Sequence, residues 1–206
     1  MRRRFLIGGA LAWAAAAAAR EVRLVDIILD ELVSIPKDAV IEDAMAPDRW
    51  NRRVAKVILS DGGTMQERLV ASGEARVRPE SDDRPFIQRL LALEGEARAT
   101  RRGLWRAPAF RVFDAADAAP AVGAFNLVEG VVVTAAKRGG RVYLNFGEDY
   151  RTDFTAAAKP SAARRWAKAG LDLVALADAR LRLRGHVVWI NGPSIEIVHP
   201  MQVECL

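Results

Sequence analysis

One cysteine and two histidines are all that this 206-residue chain has of the residues that most often act as thiolate nucleophiles or bind transition metals. Cys205 has no second cysteine to pair with, so an intramolecular disulfide is excluded and stability must come from burial. It also lacks a CxxC context or a nearby histidine that would activate a thiolate. His186 and His199 have no cysteine or carboxylate pair beside them at ligand spacing, which argues against zinc. An excess of one charge is equally scarce. The net charge is +5, and Arg2, Arg3 and Arg4 supply three of those charges, so net charge alone does not argue for a polyanionic partner.

The composition is otherwise that of a globular chain able to bury a core, 51% hydrophobic and 28% charged. The three arginines precede an alanine-rich apolar run, Phe5 to Ala19, that ends in small residues. This is the layout of a secretory signal peptide, and RRRFL also fits the twin-arginine export pattern. The run is short for a membrane span, so the expected product is exported, periplasmic or secreted, with no stable span after cleavage.

Residues 108–124, rich in Ala, Pro and Asp and without period, read as a linker. The expected division is a signal peptide at 1–19, one domain at 20–107 and a second at 125–206. In the first, VRLVDII and VAKVIL are short β-branched runs. Asp61-Gly62-Gly63 marks a turn before a helix over 65–72 with Gly73 as its C-cap, and a second helix runs over 85–102 with the stripe Phe86, Leu90, Leu93 and Ala97. In the second domain, residues 128–134, 141–146, 181–190 and 194–203 read as strands, with a hairpin turn at Asn191-Gly192. A helix around Trp166, closed by Gly170, precedes the last hairpin. The fold class is therefore mainly β with helices, α+β, and the second domain has the layout of an OB-type five-stranded barrel.

The stretches DRWNRRVAKVILSDGGTMQERLVASGEARV and PFIQRLLALEGEARATRRGLW resemble the thermonuclease, or staphylococcal-nuclease-like, family. The resemblance implies a nuclease of phosphodiester bonds in nucleic acid. Its site residues would be Arg52, in the Asp-x-aromatic-x-Arg run, with Arg23 and Glu31 as the upstream pair at an interval of eight. In that scheme the arginines stabilise charge on the phosphate and the glutamate acts on the attacking water. Asn51 stands where the family usually has glycine, a substitution that a positive φ tolerates. Trp50 takes the aromatic position beside the phosphate and is a candidate nucleic-acid contact.

The family's cofactor is Ca2+, but its ligands are not identifiable here. Ile28, Leu29 and Asp30 replace the run that carries the calcium aspartate, and loss of a carboxylate removes most calcium affinity. Too few residues separate Glu31 from Asp48 for the family's helix and full strand, so the first barrel is expected to be truncated. Asp26, Asp30, Asp38, Glu42 and Asp43 are the acidic residues left to rebuild a site, and they follow no ligand spacing. The alternative to an active nuclease is an inactive pseudo-nuclease that binds nucleic acid or protein.

The second domain resembles the OB-like domain that follows the nuclease domain in bacterial members of this family. Arg141 and Tyr143 share one face of a strand, and Arg182 and Arg184 alternate with leucines on another. If those faces adjoin, the four residues would suit single-stranded nucleic acid, by stacking and phosphate contact.

Overall fold

The computed structural model describes residues 22–30 and 33–206, in two compact units divided between Leu104 and Trp105. The expected signal segment and Glu31 lie outside the described residues. The chain is mixed α+β, mostly sheet, with three α-helices among the described residues. None of those helices is long and apolar enough to cross a membrane.

In the first unit, the run VRLVDII forms two strands. β1 (Val22–Leu24) pairs parallel with β4 (Arg53–Ile58), and β2 (Ile27–Leu29) pairs antiparallel with β5 (Ala75–Val77). The break falls at Asp26, which has φ of 61° and is fully buried. Its carboxylate accepts hydrogen bonds from the backbone N–H groups of Glu80 and Ser81, each at 2.8 Å, and from the Ser81 hydroxyl at 2.5 Å. A short polar side chain tolerates the left-handed region, and here its acceptor capacity is filled, so the kink is both possible and satisfied.

β3 (Val40–Met45) lies at the edge of the β1–β4–β3 sheet and is mostly exposed. No ladder joins this sheet to β2–β5 among the described residues, so the first unit is an open, partial barrel. Helix α1 (Met65–Ser72) starts with a capping box between Thr64 and Glu67 and ends at Gly73, whose φ is 78°. Helix α2 (Arg84–Ala99) starts at Asp83, whose carboxylate accepts from the Phe86 N–H. Its buried stripe is Phe86, Ile87, Leu90, Glu94 and Ala97, while Leu93 is only partly covered. The buried Glu94 carboxylate accepts from the Val77 N–H at 2.7 Å, tying the helix to β5.

The second unit forms an eight-stranded sheet. β7 (Phe125–Val131) and β8 (Thr134–Arg138) are one length of chain interrupted at Val132–Val133. β8 pairs with β9 (Arg141–Asn145), β9 with β10 (Thr155–Ala158), and β10 runs parallel to β12 (Pro193–Ile197). β12 pairs with β11 (Arg180–Trp189), which returns to β7. Helix α3 (Pro160–Lys168) lies between β10 and β11. The β11–β12 turn is at Asn191 and Gly192, both with positive φ. β10 carries only Thr and Ala, which explains why its sequence gives no strand signal.

Residues 113–121 are part of this unit's core rather than a linker. β6 (Phe113–Asp114) pairs parallel with β7, and Phe113, Ala115, Ala118 and Ala121 are buried in the unit's core cluster. The alanines that made the stretch look featureless are what allows close approach. A Cβ added at Gly130 would lie 2.6 Å from Ala115 Cβ and 2.9 Å from the Phe146 ring. Gly130→Val should therefore overpack this contact and lower unfolding stability by about 2 kcal/mol, read by urea denaturation. A neutral result would place the 113–121 segment outside the core.

Candidate functional site

Arg23 on β1 and Arg52 just before β4 are brought together on one carboxylate. Asp48 Oδ2 accepts from Arg52 Nε at 2.8 Å, lies 2.7 Å from Arg52 Nη2, and is 3.5 Å from Arg23 Nε. Asp48 also builds the loop that presents Arg52. Its Oδ1 accepts from the N–H groups of Trp50 (2.9 Å) and Arg52 (3.0 Å), and its backbone N–H donates to the Arg52 carbonyl at 3.0 Å. Asn51 closes the loop at φ of 60°, as its place in the motif implies. The parallel pairing of Arg23 with Val54 carries β1 into register with this loop.

Burial pushes the Asp48 carboxyl up, but the Arg52 side chain, the backbone donors and the charge of Arg52 outweigh it and hold its pKa at about 2. Trp50 is exposed, and its ring has the Arg49 guanidinium 3.8 Å and the Arg52 guanidinium 4.9 Å from its centroid.

The network continues from Arg23. Its Nη1 donates to Glu80 Oε1 at 2.5 Å, and Arg78 Nη2 donates to Glu80 Oε2 at 3.1 Å. Three arginines and two carboxylates thus alternate in the order Arg52, Asp48, Arg23, Glu80, Arg78. Sequence reasoning named Arg23, Arg52 and Trp50 but not Asp48, Glu80 or Arg78. Asp48 had a signal, since it opens the motif that carries Arg52. Glu80 and Arg78 had none, because they reach Arg23 only through the kink that Asp26 holds.

A cleft of about 340 Å³ lies beside Glu80. Glu42, Asp43, Asp82 and Asp83 line it against one cation, Lys56, which donates to Asp83 at 2.5 Å. That bond and the Phe86 N–H hold the Asp83 carboxyl below its ordinary range.

Three of the five carboxylates expected as remnants of a calcium site are otherwise engaged. Asp26 is saturated by Glu80 and Ser81, Asp30 binds the buried Arg76 through both oxygens at 3.1 and 3.2 Å, and Asp43 accepts from Arg53 at 2.7 Å. Among the described residues no group of three or more His, Cys, Asp or Glu is arranged to hold a metal, so these residues do not fit a calcium site.

In the second unit the four residues of the expected binding face are held in ion pairs or ring contacts. β10 and β12 lie between β9, with Arg141 and Tyr143, and β11, with Arg182 and Arg184, on one side, and the β7–β8 length lies between them on the other. Arg141 pairs with Glu196. Arg182 donates to Glu129 at 2.5 Å and lies 3.4 Å from Glu204. Arg184 is completely buried and donates to Glu204. The simple alternation that put Arg184 on an open face fails, since β13 (Val203–Cys205) pairs with β11 and brings Glu204 to the buried guanidinium.

A partial OB-like barrel that gathers two arginines on a shared carboxylate is the kind of scaffold the first unit defines. The model of the family described as "Staphylococcal nuclease homologue" matches residues 16–107, and relates this part of the chain to the nucleases. No curated protein matches the chain.

Two outcomes test the two networks. Asp48 has a folded pKa below its ordinary 3.8, so its stabilisation is complete above that value and disappears as pH falls towards 2. The melting temperature of Asp48→Asn should accordingly lie below that of the native chain at pH 6, with the gap closing between about pH 4 and 2. Arg184→Ala should leave the Glu204 carboxylate without its buried partner and cost about 3 kcal/mol in denaturant unfolding, as a structural and not a surface residue would.

Proposed function

We propose that the first unit binds the phosphodiester backbone of nucleic acid at Arg23, Arg52 and Trp50, with single strands as the preferred form. The observation that carries this reading is the meeting of Arg23 and Arg52, far apart in sequence, on Asp48 Oδ2. Two guanidiniums converging from different elements offer a planar, permanently charged cradle for phosphate oxygens, and the adjacent exposed indole offers a stacking surface for a base. The family match to residues 16–107 points to the same class of ligand.

Hydrolysis is the second reading. It is favoured by the interval between Arg23 and Glu31, which places a carboxylate eight residues beyond an arginine of the cradle. A base there would take the proton of attacking water while the arginines carry the phosphate charge. The engaged carboxylates of the described residues favour binding without turnover. We further propose that the chain is exported, on the layout of residues 1–19.

The deciding experiment follows binding and cleavage of a single-stranded DNA oligonucleotide, with calcium and with chelator. Arg52→Gln should weaken binding at least tenfold at low salt, where the phosphate contribution is largest. Cleavage that needs calcium and disappears in Glu31→Gln would make the chain a nuclease. Retained binding without cleavage would make it a pseudo-nuclease, and no binding at low salt would remove nucleic acid from the reading altogether.

A further inference from the structure

We propose that Arg23 and Arg78 form a second phosphate subsite, and that the carboxylate of Glu80 occupies it when no ligand is bound. This rests on the nucleic-acid reading of the same unit. Glu80 presents one oxygen to Arg23 at 2.5 Å and the other to Arg78 at 3.1 Å. A carboxylate that bridges two guanidiniums in this way spans nearly the same bite as the two unesterified oxygens of a phosphodiester, the group that guanidinium pairs recognise best. The carboxylate therefore stands where a phosphate would make the same two contacts.

The surroundings make Glu80 displaceable without disturbing the fold. Its backbone is pinned, because its N–H donates to the buried Asp26 carboxylate at 2.8 Å, and the next residue, Ser81, gives that carboxylate two more hydrogen bonds. The Arg78 backbone is pinned too, its N–H donating to the Asp26 carbonyl at 2.8 Å. Beyond the two guanidiniums, the Glu80 carboxylate accepts only a longer bond, 3.2 Å, from the Asp26 N–H. A rotation of the Glu80 side chain would thus free both arginines while their backbones stay in place. Partial exposure of the three side chains leaves them within reach of solvent.

The arrangement sets a chemical requirement on the ligand. Asp48 already shields Arg52 and one edge of Arg23, so an incoming phosphate competes with two internal carboxylates for three arginines. A single phosphate displaces one of them. A backbone with consecutive phosphates can engage the Arg23–Arg78 pair and Arg52 together, which makes a polynucleotide a better competitor than a mononucleotide. Glu80 then acts as an affinity-setting residue: it keeps the subsite neutral until a polyanion replaces it.

The test measures binding of a fluorescent single-stranded oligothymidylate by anisotropy at several salt concentrations. Glu80→Gln keeps the side-chain shape, removes the charge, and should tighten binding roughly five- to tenfold at low salt and steepen the salt dependence by roughly one unit. Adding Arg78→Gln to that variant should abolish the gain, and Glu80→Asp, too short to bridge both arginines, should show part of it. Circular dichroism melts establish that each variant is folded. Unchanged or weaker binding by folded Glu80→Gln, or a gain that survives loss of Arg78, would overturn the proposal. Should no variant bind the oligonucleotide, the nucleic-acid reading fails instead, and a titration with inorganic phosphate, followed by NMR of the arginine Nε–H signals, judges the subsite alone. Shifts of Arg23 and Arg78 that are stronger in Glu80→Gln would keep an anion subsite without a polynucleotide, and none in either protein would sink it.

Discussion

Guanidiniums repel one another, and a fold that gathers several must place negative charge between them. Asp48 meets that constraint in the first unit. One of its oxygens accepts two backbone N–H bonds that shape the loop carrying Trp50 and Arg52, while the other binds Arg52 and faces Arg23 on β1. Loop conformation, strand register and the positive cradle are therefore coupled through one side chain, and its low pKa of about 2 expresses how many donors converge on it. Glu80 repeats the device between Arg23 and Arg78, with the buried Asp26 holding the backbone from which it extends.

The second unit obeys the same constraint with the opposite consequence. Its arginines on β11 are flanked by strands that bring Glu129 and Glu204 alongside, and Arg184 is sealed beneath them. In the interior, a charge separated from its partner is costly, so this network binds strands together and leaves Arg184 unable to meet a ligand. In the first unit Arg23, Asp48 and Glu80 are mostly covered, while Arg52 and Arg78 are more open to solvent. Of these arginines Arg184 is the one that is completely buried, and its pairing serves structure alone.

Much of the local structure was legible in the residues. Asp61-Gly62-Gly63 and Gly73 mark both ends of α1, Asn51 tolerates the positive φ its loop demands, and Asn191-Gly192 turns the β11–β12 hairpin. These signals act through backbone geometry within a few residues. The misreadings share another cause. VRLVDII shows only as a β-branched run because the distant Ser81 and Glu80 N–H groups are what bury Asp26 in a kink. Residues 113–121 read as a linker because alanines that fill a tight core look the same in sequence as alanines in a tether. Leu93 was assigned to the buried face of α2, where Glu94 is found instead, since a buried carboxylate is tolerated only by partners on another element.

By itself, the sequence determined the α+β class, the two helices of the first unit, and the motif that relates residues 16–107 to nucleases. Propensity, capping and turn chemistry depend on neighbours along the chain, so one sequence suffices to read them. Only the tertiary structure decided that Arg23 and Arg52 share Asp48, that Glu80 lies between Arg23 and Arg78, and that Arg184 is withdrawn from solvent. Those facts are differences in distance and burial between residues remote in sequence, and electrostatic energy depends on distance and burial, not on the identity of the charges alone.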